Sequence, residues 1–328
     1  IVAPTLSPAS WMTVLAPASN LMSYHAEIVS LGSTENFLER LLYCSGHWDV
    51  FQMVNVPTGS DTYRAIRAVA ETQRLNLVWV PGEKSPYLKI VGTWNDFTAG
   101  RDKKSRYKYR RRREWLQRNS GNQLVWYEGK CDTDRLFEDI LQIERYSWKR
   151  LERVDIESSA RETAYHQALL PMLAERDWLM ANVLYVDGQP VAYNLCCACG
   201  SWVGQLKTSF DEKYTSASPG SIVVDTALEH AFQQGRGEFD FLGDAAAHKS
   251  VWTASTRDHA SPFLFGPRWK PRMVGALKSI VSGMSARSPA LGTGARGRCE
   301  STRGQAVVLD RSKTPMRTER QRVSHRDE

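Results

Sequence analysis

An α+β fold, with a mixed and mostly antiparallel sheet flanked by helices, is predicted by three features of the sequence. Residues 182–186 and 190–199 alternate or run apolar, and Asp187-Gly188 joins them as a two-residue hairpin turn that needs positive φ. A second reversal at Gly200-Ser201 leads to a third strand at 202–208. A Pro-Gly loop then opens a helix at 221–234, with Ile222, Val223, Thr226, Ala227, Ala231 and Phe232 near helical spacing, and Gly235 and Gly237 stop it before an apolar strand at 238–242.

From the start of the chain, residues 1–25 carry Pro4, Pro8 and Pro17 and little periodicity, which predicts irregular structure, with a strand at 27–31. A helix at 34–44 is capped by Ser33 or Thr34 and has Phe37, Leu38, Leu41 and Leu42 on one side. Strands at 48–56, 75–80 and 87–91 enclose a helix at 61–74. Residues 98–119 form a basic helix ended by Asn119-Ser-Gly-Asn122, and Tyr107, Tyr109, Trp115 and Leu116 mark an aromatic seam on it. After a strand at 123–127, Asp132-Thr-Asp134 caps a helix at 135–150 with Leu136, Ile140 and Ile143 along one stripe. Trp148 and Tyr146 stand at its end, where core packing and a cleft both suit them. The helix at 158–175 is interrupted in pattern at Pro171; beyond Trp252 only Phe263-Leu-Phe265 is apolar, and from residue 282 the composition is that of a disordered basic tail.

A chain of 328 residues with 42% hydrophobic content has room for two domains and a sizeable core. It begins at Ile1, as a fragment or processed form would, and it lacks both an apolar run of membrane-spanning length and a signal peptide, so the expected location is the cytoplasm. The formal charge of +7 is held by residues 101–113 and by the tail, which leaves the remainder net acidic. Cys196, Cys197 and Cys199 crowd one strand at a spacing that suits neither zinc nor a disulfide framework, so buried free thiols are expected.

Backbone N–H groups and the positive end of a helix dipole meet where Ser218, Pro219, Gly220 and Ser221 open the helix, and phosphate is the guest such a site takes. An ordinary capped helix explains the same four residues. For Arg110, Arg111, Arg112 and Arg113 three readings stand: a solvated face, a contact with an anionic substrate, or a membrane surface. No Ser/His/Asp elbow, Walker loop or metal-ligand cluster is present.

The strand order resembles the acyl-CoA-binding half of the GNAT acyltransferases, in the branch related to the FemAB peptidyltransferases and to acetyltransferases found with cellulose and exopolysaccharide synthesis. Thr208-Ser-Phe-Asp-Glu-Lys-Tyr214, Ser218-Pro-Gly220, Phe239-Asp-Phe-Leu242, His248-Lys249-x-x-Trp252 and the Arg-rich helix carry the likeness, over roughly residues 48–270. The family more often has Tyr where this chain has His248, and an acidic residue where this chain has Ala245-Ala-Ala247, with Asp244 nearby. The resemblance implies two GNAT-like units, the first (1–97) incomplete because its opening strands would precede Ile1, then the basic helix (98–122), an acyltransferase domain (123–281) and the tail (282–328).

It also implies amine acylation from acyl-CoA without a metal. N–H groups of Lys207, Thr208 and Ser209 would hold the acyl and pantetheine portion, and the start of the helix at 218–221 the diphosphate. Candidate bases are Asp211, Asp240, Asp244 and His248, with Tyr214 as a possible acid. In FemAB-like relatives a Lys after the last strand meets the acceptor, which selects Lys249, with Trp252 beside it. Three functions follow: an acyl-CoA-dependent N-acyltransferase acting on a sugar or anionic envelope precursor, an enzyme taking its acyl group from aminoacyl-tRNA, and a non-catalytic nucleic-acid binder.

Overall fold

Two sheets that exchange strands organise the chain; the computed structural model describes residues 2–6, 13–17, 26–118, 120–243, 245 and 248–267. The tail expected from residue 282 lies outside these residues. In order come β1 (Val2–Leu6), β2 (Thr13–Pro17), α1 (Thr34–Cys44), β3 (Val50–Gln52), β4 (Val56–Pro57), α2 (Asp61–Thr72), β5 (Asn76–Pro81), β6 (Ser85–Lys89), α3 (Trp94–Gly100), α4 (Lys103–Arg118), β7 (Asn122–Glu128), α5 (Thr133–Arg145), α6 (Trp148–Leu151), α7 (Ala160–Glu175), β8 (Leu179–Val186), β9 (Gln189–Cys199), β10 (Trp202–Phe210), α8 (Pro219–Gln233), β11 (Glu238–Asp240), β12 (Thr256–Arg257) and β13 (His259–Phe265). The α+β class, with mixed sheets flanked by helices, is the predicted one.

In the first sheet β1, β2, β3, β13 and β4 lie in that order and β5 pairs with β13. Ser33 and Ser60 cap α1 and α2 by accepting the N–H groups of Asn36 and Tyr63. Leu38, Leu42, Ile66 and Val69 then bury against Phe51 and Leu264. The second sheet runs β12-β6-β11-β10-β9-β8-β7, with only β10 and β11 parallel. Strand β6 thus leaves the N-terminal segment for the second sheet, while β13 returns from the C-terminal end to the middle of the first.

The second sheet is covered on both faces, and period-two alternation sets what each face meets. Ala181, Val183 and Tyr185 of β8 face Leu136, Ile140 and Ile143 of α5 and Leu170 and Leu173 of α7. From the same strand Met180 and Leu184 face the other way, toward the layer of α8, and Asn182 donates to the Val223 carbonyl (3.0 Å) and to Thr226 Oγ1 (2.8 Å). The β8–β9 turn has φ of 50° at Asp187 and 77° at Gly188, as the dipeptide predicts.

Several expectations are corrected. The irregular segment expected at 1–25 contains the antiparallel pair β1–β2. Residues 27–31 form no strand, and Ile28 N–H is taken by Thr62 Oγ1 (2.7 Å). The basic helix is two helices, because Gly100 ends α3 and Asp102 restarts the chain by accepting the N–H groups of Lys104 and Ser105 (2.9 and 3.0 Å). The helix expected at 135–150 breaks after Arg145, while α7 continues through Pro171. Strand β11 stops at Asp240 because Leu242 turns to φ 48°. Of the thiols expected to be buried, Cys196 is buried, Cys197 is half-buried and Cys199 is exposed at the strand end.

Candidate functional site

Strands β10 and β11 pair over three residues only, Trp202 with Glu238, Val203 with Phe239 and Gly204 with Asp240. Beyond that point β11 turns away at Leu242, whereas β10 continues to Phe210 with a bulge between Gln205 and Lys207. A cleft of about 450 Å³ opens in the gap, with Gln205, Leu206, Lys207 and Thr208 on one wall and Phe241, Gly243, His248 and Lys249 on the other. Helix α6 and the segment after it close it with Trp148, Lys149 and Asp155. The Thr208 carbonyl accepts a bond from Lys149 rather than from β9 (2.7 Å), so in an antiparallel strand its N–H points to the same open side.

Beneath this wall lies a buried charge cluster. Glu144 Oε1 accepts from Tyr193 Oη (2.5 Å) and Lys149 Nζ (3.1 Å) and lies 3.5 Å from Lys207 Nζ, while Oε2 accepts from the Ile156 N–H (2.8 Å). Burial works to raise the Glu144 pKa, but the two ammonium groups together with the Tyr193 hydroxyl and the Ile156 N–H outweigh it and hold the carboxyl below its usual range. Burial pushes Lys149 the other way, down to about 8, against the pull of Glu144. On α7, His166 donates Nδ1–H to the Glu162 carbonyl (2.8 Å), which leaves Nε2 as the unprotonated nitrogen, with no partner among the described residues. Burial lowers its pKa.

Of the sequence-predicted residues, Lys207, Thr208, His248 and Lys249 meet at this cleft. Lys249 Nζ donates to the Leu242 carbonyl (2.5 Å) and ties its segment to the end of β11. Asp244 lies outside the described residues. Trp252 does not reach the cleft: it is buried, its Nε1–H donates to Asp225 Oδ1 (2.8 Å), and it stacks on Phe241. Asp240 is fully buried and already accepts from Ser85 Oγ (3.1 Å), the Leu242 N–H (2.9 Å) and Arg257 Nη1 (2.5 Å), so it holds structure and is no base. Asp211 accepts the Lys213 N–H (2.9 Å) as the cap of a short turn, and Tyr214 packs beside Phe210 and Ile222, away from the cleft. Ser209 is buried, with Oγ unpartnered among the described residues.

The start of α8 offers fewer free donors than its sequence predicts. Ser218 sits at φ 57° and its carbonyl takes the N–H groups of both Ser221 (3.0 Å) and Ile222 (3.2 Å), while its own N–H goes to Thr215. Pro219 has no N–H, so Gly220 supplies the first-turn donor, with the hydroxyls of Ser218 and Ser221 beside it. Gly220 is required for packing: a Cβ there would lie 2.9 Å from the Phe210 ring. Gly220→Ala is expected to cost about 1–3 kcal/mol by forcing Phe210 aside, measured as a shift in the denaturant midpoint. An unchanged midpoint would mean that the ring yields freely.

The four arginines divide. Arg112 is buried, its Nε donating to Asp225 Oδ2 (2.7 Å) and its Nη2 lying 2.5 Å from the same oxygen. Arg113 donates to Tyr109 Oη (2.8 Å) and to both Glu229 oxygens (3.0 and 3.1 Å). Arg110 and Arg111 are exposed, and Arg110 shares a shallow surface depression with Lys103, Lys104, Arg106 and Tyr107. Half of the predicted anion contact therefore holds α4 to α8.

Glu144, Lys149, Gln205 and Asp155 were not singled out by sequence reasoning. Glu144 had a signal, since it stands one turn after Ile140 on the stripe that α5 buries, where an acid needs partners. Lys149 had none, because its partners come from β10 and from a residue five positions away.

Residues 103–250 match the model of a family described as an acetyltransferase (GNAT) domain. The match spans somewhat less than half of the chain and supports an acyltransferase. Among solved structures it is similar to FemX (TM-score 0.56, 11% identity, 84% of this chain and 86% of that one). It is likewise similar to the C-terminal domain of a putative lysylphosphatidylglycerol synthetase from Agrobacterium fabrum (TM-score 0.53, 10% identity, 85% and 88%). A conserved protein of unknown function from Bacteroides thetaiotaomicron is a third (TM-score 0.51, 13% identity, 78% and 80%). At these identities the likeness is one of fold. No curated protein matches the chain. Among the described residues no helix is long and apolar enough to cross a membrane, and no group of three His, Cys, Asp or Glu is placed to hold a metal.

Proposed function

We propose that the chain is an N-acyltransferase that moves an acyl group from a coenzyme A thioester to an amine of a sugar, polysaccharide or cell-envelope precursor, the role suggested by its resemblance to acetyltransferases of cellulose and exopolysaccharide synthesis. The observation that carries it is the open edge of β10: an extended wall with backbone groups turned into a cleft, a bulge at its start, and the start of α8 next to its end at Phe210. The acyl and pantetheine portion lies along Lys207, Thr208 and Ser209, and the diphosphate meets Ser218, Gly220 and Ser221. His248 and Lys249 face the acceptor from the opposite wall. Holding donor and amine in one cleft supplies much of the acceleration by proximity. Isothermal titration with acetyl-CoA is the test: saturable one-to-one binding supports the reading, and no heat at millimolar acetyl-CoA sinks it.

One observation favours a second donor, aminoacyl-tRNA, which FemAB relatives use. Lys103, Arg106, Tyr107 and Arg110 form an exposed basic face on α4, while Arg112 is buried against Asp225 and the exposed Arg113 pairs with Glu229. Replacing Lys103, Arg106, Arg110 and Arg111 with Gln is expected to weaken tRNA binding and to flatten its log–log salt dependence by about one unit of slope for each phosphate that is no longer neutralised. An unchanged slope would leave the face merely solvated.

A further inference from the structure

The cleft contains its own amine. Lys149 Nζ sits at the open edge of β10, held by the Thr208 carbonyl and Glu144 Oε1, with its side chain 10% exposed and on the cleft wall. A neutral lysine has two N–H bonds and one lone pair. The carbonyl and the carboxylate accept the two hydrogens, which leaves the lone pair uncommitted. We infer that Lys149 is a self-acylation site, taking the acyl group of a thioester bound along β10 when no external amine is present. This rests on the donor reading above.

In the step, the Nζ lone pair forms a bond to the acyl carbon as the carbon–sulfur bond breaks. The proton released from Nζ passes to the departing thiolate. The products are an Nε-acyl-lysine and a free thiol, and no further reactant is consumed. Burial supplies the free amine, since a group brought to about 8 is roughly one-tenth neutral at pH 7. The charged and titratable groups around it are Glu144 from α5, Tyr193 from β9, Lys207 from β10, Asp155 from the segment after α6, and Glu162 and His166 from α7, with Glu83, His248 and Lys249 on the cleft walls. Acylation removes the ammonium and leaves Glu144 with Lys207, Tyr193 and the Ile156 N–H, so the modified cleft differs in charge from the unmodified one.

The full chain is incubated with acetyl-CoA and no acceptor, and intact-mass and peptide mass spectrometry follow the label; titration calorimetry measures acetyl-CoA binding in parallel. One acetyl group at Lys149 is expected, appearing about tenfold faster at pH 9 than at pH 7, suppressed by desulfo-CoA, and absent in Lys149→Arg, which keeps the charge beside Glu144. Competitive labelling of the unliganded chain by acetic anhydride gives a readout without the donor, and Lys149 is expected to titrate below the surface lysines. Acetyl-CoA that binds while Lys149 stays unmodified overturns the inference and leaves the donor reading standing. Label spread over surface lysines, insensitive to desulfo-CoA, overturns it equally. Absence of acetyl-CoA binding removes the donor reading and this inference with it.

Discussion

Arg112→Met is expected to lower the unfolding free energy by about 3–5 kcal/mol and the melting temperature by roughly 10 °C. Arg112 and Asp225 are both nearly buried, and Trp252 Nε1–H holds the second carboxylate oxygen. Burial already pushes the Asp225 pKa up, and Arg112 and the indole restrain it. Without the guanidinium a buried carboxyl must either keep an uncompensated charge or take a proton, and both cost stability. Adding Asp225→Asn to Arg112→Met is expected to restore most of the loss, since the buried charge is removed while the amide oxygen still accepts the Trp252 N–H. In contrast, Arg110→Gln with Arg111→Gln changes nothing beyond about 0.5 kcal/mol, because both side chains are exposed. Differential scanning calorimetry on the three variants decides the matter, and a wild-type melting temperature for Arg112→Met would mean that α4 is not held through this pair.

That contrast within one run of four arginines marks where sequence reasoning ends. Caps and turns are local, so Ser33, Asp132 and Asp187-Gly188 declare the starts of α1 and α5 and the β8–β9 hairpin from the residues alone. The two-faced alternation of β8 is local as well, and it places the helices on both sides of the sheet. Arg110 and Arg112 differ in which face of α4 meets α8, a fact that depends on Asp225 over a hundred positions away. Strand β13 was illegible for the same reason: Pro262 and Ser261 weaken its pattern, and its partners β3, β4 and β5 lie near the start of the chain. The cleft was half legible. The loop and helix after β10 have a spacing that reads in one dimension, whereas the meeting of Lys149, Glu144 and Thr208 is made by three elements. Trp252, next in sequence to cleft residues, went to the core because Asp225 gives its N–H a partner there.

The stability difference between the wild type and Lys149→Met is expected to grow in favour of the wild type by about 3 kcal/mol as pH rises from about 8 to 10.5. Burial lowers the Lys149 pKa in the folded chain, whereas the unfolded chain keeps the ordinary value of 10.5. Below about 8 both states are protonated, and the folded one bears the cost of a buried ammonium, which Glu144 and the Thr208 carbonyl offset in part. Between the two values the unfolded chain holds a proton that the folded chain has shed, so unfolding free energy increases with pH. Above 10.5 both states are neutral and the difference levels off. The variant subtracts the other titrating groups to first order. Urea unfolding of both proteins at pH 7, 8, 9 and 10 measures the curve. A flat difference would show that the ammonium is as well solvated in the fold as in water, and the neutral amine that the cleft chemistry requires would then be scarce at physiological pH.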